Sequence, residues 1–131
     1  MHALLATVGT DGDILPYVGL GATLRERGQR VTLLANEGFH GVAAGQGLEF
    51  RALVSEAETQ ELLANPDFWH PVKAARVASR WGARFIRRQY TLLAEMASDE
   101  DVVLVASPGV LAARLAQEKL SRPLASVVLQ P

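Results

Sequence analysis

The strongest constraint on this chain is an alternation: short aliphatic and β-branched runs are separated by stretches with helical spacing. Ala3 to Val8 is an apolar run that stops at Gly9, and Arg30 to Ala35 is a second. Leu48 to Leu53 alternates like a third, with one face less buried, and Asp101 to Ala106 and Leu124 to Leu129 complete the set. Runs of this length, bounded by turn residues, suit strands buried on both faces of a parallel sheet. Between them lie helical patterns. Pro16 fits the first turn of a helix in which Tyr17, Leu20 and Leu24 share a face and Gly28 provides the stop. Phe39 to Gln46 reads as a short helix, and Glu56 to Ala64 as a polar one closed by Asn65-Pro66. A long basic helix is expected from Pro71 to Ala97, and a last one from Pro108 to Leu120.

Strands alternating with helices predict an α/β fold, a Rossmann-like three-layer αβα arrangement on a mainly parallel sheet of about five strands with right-handed crossovers. In the order 3-2-1-4-5 the switch point falls between strands 1 and 4, and ligands bind there, beyond the strand C-terminal ends. Two loops border that crevice: Gly9 to Leu15 and Ser107 to Val110. With 131 residues, 49% of them apolar, one core is expected, and 1–131 is read as a single domain.

Composition removes several function classes. No cysteine is present, which excludes a disulfide scaffold, a thiol nucleophile and cysteine-ligated metal. His2, His40 and His70 show no ligand spacing, so no metal is implied. His70, beside Phe68 and Trp69, is read as a loop-packing residue. The net charge of -1 argues against a general nucleic-acid binder. No apolar run approaches a membrane span, and Thr7, Gly9 and Asp11 interrupt any signal-peptide core, so a cytoplasmic location is expected.

The charge is unevenly spread. From Pro71 to Tyr90 there are six bases (Lys73, Arg76, Arg80, Arg84, Arg87 and Arg88) and no acid, which leaves 14 acids and 7 bases elsewhere. Their spacing places them on one helix face, with Val77, Trp81, Phe85, Leu92 and Met96 on another. Such a face is either simply solvated or a surface for anionic lipid or an anionic acceptor, with peripheral membrane contact as its consequence. The aromatic group Phe68, Trp69, Trp81, Phe85 and Tyr90 is read as core packing, or as the wall of a hydrophobic acceptor pocket.

The loop after the first strand reads Gly9-Thr10-Asp11-Gly12-Asp13-Ile14-Leu15-Pro16. It lacks the G-x-G-x-x-G of a dinucleotide fingerprint and the lysine of a P-loop. Its two aspartates would repel a pyrophosphate at the helix N-terminus. Glu37 mimics the ribose-binding acid of dinucleotide sites, but without the glycine pattern that reading is weak. Asp13 admits two readings, a helix N-terminal acid or a general base at the crevice, and the residues alone leave both open. Ser107 faces the same crevice and is also a natural N-cap for the helix opened by Pro108.

The pattern Gly9-Thr10-x-Gly12-Asp13-x-x-Pro16, followed by Gly19-Leu20 and Leu24-Arg25-x-Arg27-Gly28-x-x-Val31-Thr32-Leu33, resembles the N-terminal domain of glycosyltransferase family 28. The likeness extends to its relatives of the GT-B fold, the sterol, antibiotic-aglycone and rhamnolipid-type glycosyltransferases. Phe39, Val42, Gly47-Leu48-Glu49-Phe50 and Leu53 continue it, as do Asn65-Pro66-x-x-Trp69 and Ser126 to Pro131. The loop together with the Arg-Gly-x-x-Val-Thr block is a fairly specific combination.

The resemblance implies an acceptor-binding N-terminal half of an inverting enzyme. Its partners would be a lipid-like or aglycone acceptor and a C-terminal domain that binds a nucleotide-diphosphate sugar, with no further cofactor. The family's aspartate at this loop is the usual candidate base, which maps onto Asp13. Gly9, Thr10, Asp11, Gly12 and Ser107 are the expected substrate-binding residues. The sequence departs from the family at Thr10, where serine is common, and at Asp11, which puts a second negative charge beside the candidate base in place of arginine. By this reading the chain is a truncated half, inactive alone. A subunit of a split transferase and a dinucleotide-binding fragment are the alternatives.

Overall fold

The computed structural model describes residues 1–99 and 101–129. Gln130 and Pro131, the end of the Ser126 to Pro131 likeness, lie outside the described residues. Five strands form one sheet: β1 (His2–Ala6), β2 (Arg30–Asn36), β3 (Glu49–Val54), β4 (Val102–Ala106) and β5 (Leu124–Ser126). All are parallel, in the order β3-β2-β1-β4-β5. The predicted α/β class and strand order therefore hold.

The two sheet faces are built by alternation along each strand. Leu4, Ala6, Leu34, Leu104 and Ala106 point to one face, where they pack with α5 (Ile86–Met96) and α6 (Leu111–Leu120). Ala3, Leu5, Val31, Leu33, Ala35 and Val105 fill the other, under α1 (Asp11–Glu26) and α2 (His40–Gly45). On α1 it is Gly21 that permits close approach: a Cβ there would meet Leu48 at 2.9 Å and Leu5 at 3.1 Å. Tyr17 is buried, and its hydroxyl donates to the carbonyl of Val127 at 3.1 Å, tying α1 to the segment after β5. Burial pushes its phenol up to about 12.

Several element boundaries differ from the sequence expectation. The first helix starts at Asp11 rather than Pro16, so Asp11 to Leu15 belong to the helix and not to the loop. Pro16 then sits in the second turn, where it cannot donate to the carbonyl of Gly12. The long basic helix is two helices, α4 (Ala74–Ala83) and α5. At the break, the N–H groups of Arg84 and Phe85 reach the carbonyls of Trp81 and Gly82, three residues back, as Phe85 turns inward to become buried. The helix expected from Pro108 begins at Leu111, and the last strand ends at Ser126 rather than Leu129. The helix α3 (Glu56–Ala64) matches its prediction, with the Ser55 hydroxyl capping it by accepting from the Glu58 N–H at 3.1 Å.

At the opposite end of the sheet from the strand C-termini, His2 is buried with its Nε2 2.8 Å from the Thr32 hydroxyl. That hydroxyl donates to Glu49 at 3.0 Å, and Glu49 accepts from Arg30 Nε at 2.8 Å. Burial, and then the charge of Arg30, hold the His2 imidazole below its ordinary value. The unfolded chain therefore binds this proton more readily, so the His2 contribution to stability is complete above about pH 6.5 and is lost as the pH falls. Urea unfolding between pH 7.5 and 5.5 should show stability falling with pH. A His2→Gln variant should show a flatter dependence, and an identical slope in both proteins would contradict this role.

Candidate active site

The switch point lies where the chain leaves β1 and β4. The two strands pair up to Ala6 and Ala106, and the Ser107 N–H adds one more bond to the Ala6 carbonyl at 3.0 Å. Beyond that bond the chains diverge, one into Thr7 to Thr10 and α1, the other through Ser107 to Val110 into α6. Thr7 is fully buried; its N–H donates to the Leu34 carbonyl at 3.0 Å and its hydroxyl to the Asp13 carbonyl at 3.2 Å. The loop thus starts from a fixed point.

Its next residue but one is held by a side chain from β2. Asn36 is buried, and its amide pairs with both backbone groups of Gly9: Oδ1 accepts from the Gly9 N–H and Nδ2 donates to the Gly9 carbonyl, each at 3.2 Å. Asn36 Nδ2 also donates to the Thr59 hydroxyl of α3 at 3.3 Å. The pairing of β2 with β3 shifts register at this residue: Ala35 stands opposite Ala52, but Asn36 opposite Val54. Gly9 has φ +142°, a region disfavoured for side-chain-bearing residues. A Cβ there would also run into the Asp13 carboxyl group, 2.7 Å from its Cγ.

Asp13 folds back over this glycine. Its Oδ2 accepts from the Thr10 N–H at 2.9 Å and from the Thr10 hydroxyl at 3.2 Å. This is how the acid of a capping box satisfies an orphan donor at a helix start. Both bonds fall on Oδ2; Oδ1 accepts none among the described residues. The carboxylate is half-buried, at a helix N-terminus that favours its negative charge. The structure therefore bears out the helix-acid reading of Asp13, with one carboxylate oxygen accepting no hydrogen bond among the described residues.

The other expected site residues separate into two groups. Gly9, Thr10, Asp11 and Gly12 form one continuous turn with Asp13, of which Gly9 to Gly12 are exposed. Ser107 is half-buried on the neighbouring strand end. It does not cap α6, whose N-cap is Val110; instead its carbonyl accepts from the Val110 N–H at 3.0 Å. The residues that sequence reasoning missed are Asn36 and Thr59. Of these, Asn36 left a trace: it is a polar residue closing an otherwise apolar strand, Val31 to Ala35.

Residues outside the crevice have structural roles. The Glu37 carboxylate accepts from the Glu56 N–H at 2.9 Å and so anchors the start of α3. His70 Nδ1 accepts from the N–H of Val72 at 3.1 Å and of Lys73 at 3.3 Å, capping a turn rather than packing in a loop. The aromatic residues are not one cluster. Phe68 stands edge-on to Trp69, and Trp81 edge-on to Phe85, with Trp69 67% exposed and Phe85 buried. The basic face is partly neutralised: Arg84 pairs with Glu61 at 2.6 Å, Arg88 with Glu58 at 2.6 Å and Lys73 with Asp67 at 3.6 Å. The Arg88 guanidinium holds the Glu58 carboxyl below its ordinary value. Among the described residues, no group of three or more acidic, histidine or cysteine side chains is placed to hold a metal, and no helix is long and apolar enough to cross a membrane.

Replacing Asn36 with alanine removes both restraints on Gly9. It should cost about 0.5–1.5 kcal/mol in urea unfolding, the net worth of a hydrogen bond whose freed partner can reach water. Amide exchange at Gly9 should also accelerate beyond the global change; unaltered exchange there would show that the loop holds itself.

Comparison with known proteins agrees with the fold. A sterol 3-beta-glucosyltransferase of Eremothecium gossypii is 30% identical over 120 residues, 91% of this chain and 10% of that protein. An O-mycaminosyltylonolide 6-deoxyallosyltransferase of Streptomyces fradiae is 44% identical over 52 residues, 40% of this chain and 12% of that protein. Among solved structures, a Streptomyces sp. SF2575 glycosyltransferase complexed with thymidine diphosphate superposes with a TM-score of 0.70 at 20% identity, over 96% of this chain and 38% of that one. The chain thus spans about a tenth of the length of these curated relatives. Residues 3–131 match the glycosyltransferase family 28 N-terminal domain, and the chain belongs to that family.

Proposed function

We propose that this domain is the acceptor-binding part of an inverting glycosyltransferase, which moves a sugar from a nucleotide-diphosphate sugar to a lipid-like or aglycone hydroxyl. The observation that carries the reading is the state of Asp13: its carboxylate stands at the switch point, anchored through Oδ2, with Oδ1 accepting no hydrogen bond among the described residues. Oδ1 takes the proton of the acceptor hydroxyl as that oxygen attacks the anomeric carbon. The bond to the nucleoside diphosphate breaks on the opposite side, so the configuration inverts in one displacement. A base of this kind supplies roughly 10²–10⁴-fold in rate when correctly placed.

The chain's own residues serve that step by positioning. Asn36 and the φ of Gly9 keep the loop slim and fixed, so the acceptor can approach the carboxylate. The two Thr10 donors fix the orientation of the base before substrate arrives, which lowers the cost of reaching a productive geometry. Thr10, Asp11, Gly12 and Ser107 line the approach. The donor sugar belongs to a second domain, supplied in cis or as a separate chain. The dinucleotide-binding alternative is not favoured, because Asp11 and Asp13 occupy the helix start and the Glu37 carboxylate is taken by the Glu56 N–H.

Asp13→Asn separates the two jobs of this side chain. The amide oxygen can still accept from Thr10, so the melting temperature should stay close to that of the parent. In a protein carrying this domain with a donor-binding domain, sugar transfer should fall by roughly 10²-fold or more. Unchanged turnover would make Asp13 a helix cap and nothing else.

A further inference from the structure

Three threonines in this fold make the same local bond. The hydroxyls of Thr23 in α1, Thr59 in α3 and Thr91 in α5 each donate to the carbonyl four residues back, at 3.1, 3.1 and 3.0 Å. This back-bond is a common resting place for a helical threonine hydroxyl and does not by itself mark a function. Thr59 differs in one respect. Among the described residues it alone of the three also accepts from a side chain of another element, the buried Asn36, whose Nδ2 lies 3.3 Å away. Thr59 is half-buried, whereas Thr23 and Thr91 are exposed.

The direction of these bonds matters. An asparagine amide nitrogen carries two hydrogens, and burial makes each costly to leave unpaired. One goes to the Gly9 carbonyl and the other to Thr59. Because the Thr59 proton is given to the Ser55 carbonyl, its oxygen faces Asn36 as an acceptor only. The amide is thereby held from both sides, by the loop and by α3, and bonds in such a series polarise one another. Thr59 is itself well placed. α3 contains no buried residue, so directional bonds set its position more than packing does. They converge on the neighbouring Glu58. Arg88 donates to its two carboxylate oxygens at 2.8 and 2.6 Å and to the Leu53 carbonyl at 3.1 Å, and Trp81 Nε1 donates to the Glu58 carbonyl at 3.0 Å.

We propose that Thr59 is a positioning residue for the candidate base, acting through Asn36 and Gly9. This role rests on the assignment of Asp13 as the base and adds a residue that serves it from another element. The Asp13 carboxylate lies so close to the Gly9 backbone that a Cβ on the glycine would meet it, so a shift of Gly9 is passed on to the carboxylate. Asn36 sets the place of Gly9, and Thr59 keeps the Asn36 amide where it reaches both backbone groups of the glycine. A misplacement of about 1 Å costs up to roughly 10²-fold in rate, so a smaller shift gives a measurable loss without weakening substrate binding.

Thr59→Val keeps the shape of the side chain and removes the acceptor, whereas Thr59→Ser keeps the hydroxyl. In the 131-residue chain, amide exchange at Gly9 should accelerate beyond any global change in Thr59→Val and return to the parent rate in Thr59→Ser. In a protein carrying this domain with a donor-binding domain, Thr59→Val should lower kcat about tenfold and leave the KM for the nucleotide sugar unchanged. Thr59→Ser should restore kcat to within about twofold of the parent. Thr91→Val removes the same local bond from an exposed helix position and should alter neither readout. Unchanged Gly9 exchange in Thr59→Val would overturn the proposal. Equal losses in Thr59→Val and Thr91→Val would do the same, because Thr59 would then act only through helix stability. So would an unaltered kcat in Thr59→Val where Asp13→Asn slows transfer, a result that leaves the assignment of Asp13 standing. Failure of Asp13→Asn to slow transfer would remove the base, while faster Gly9 exchange in Thr59→Val would still show Thr59 holding the loop.

Discussion

The candidate site depends on one long-range contact, the pairing of the Asn36 amide with the backbone of Gly9. Twenty-seven residues separate the partners in sequence, and both hydrogen-bonding groups of the glycine are engaged. Without that pairing, the loop after β1 would be anchored only through Thr7 at its start and the helix cap at its end. With it, the backbone is pressed so close to Asp13 that only a glycine fits at position 9. The register shift of β2 against β3 falls at this same asparagine, as irregularities in sheets often do where a side chain must be re-aimed.

For the proposed reaction, a carboxylate that caps its own helix is an economical base. The helix start needs an acceptor for its orphan N–H groups, and one oxygen of Asp13 supplies it. The second oxygen is left over by geometry, not by chance exposure, because Thr10 brings both of its donors to Oδ2. The structural role and the proposed catalytic role therefore do not compete here; they would divide one functional group between them.

The sheet order was legible because each apolar run is followed by a helical pattern long enough for a crossover, and the right-handed rule leaves few ways to arrange such units. The sequence alone places the helix start near Pro16, because Thr10-x-x-Asp13 reads equally as a ligand loop and as a capping signature, and the structure shows the cap. Pro16 is tolerated in the second turn, which its usual preference for the first turn does not reveal. The basic helix looked continuous because no proline interrupts it; the inward turn of Phe85 breaks it, and that is a tertiary event. Asp13 and Gly9 could be singled out from local pattern, and Thr10 through the family resemblance. Asn36 and Thr59 could not, since their importance lies in partners from other elements.

The most direct test is a structure of the protein with an acceptor bound beside a donor-binding domain. The account predicts the acceptor hydroxyl within hydrogen-bonding distance of Asp13 Oδ1, while Oδ2 keeps its bonds to Thr10. An acceptor hydroxyl held by a different base, with Asp13 facing only Thr10 and solvent, would contradict it.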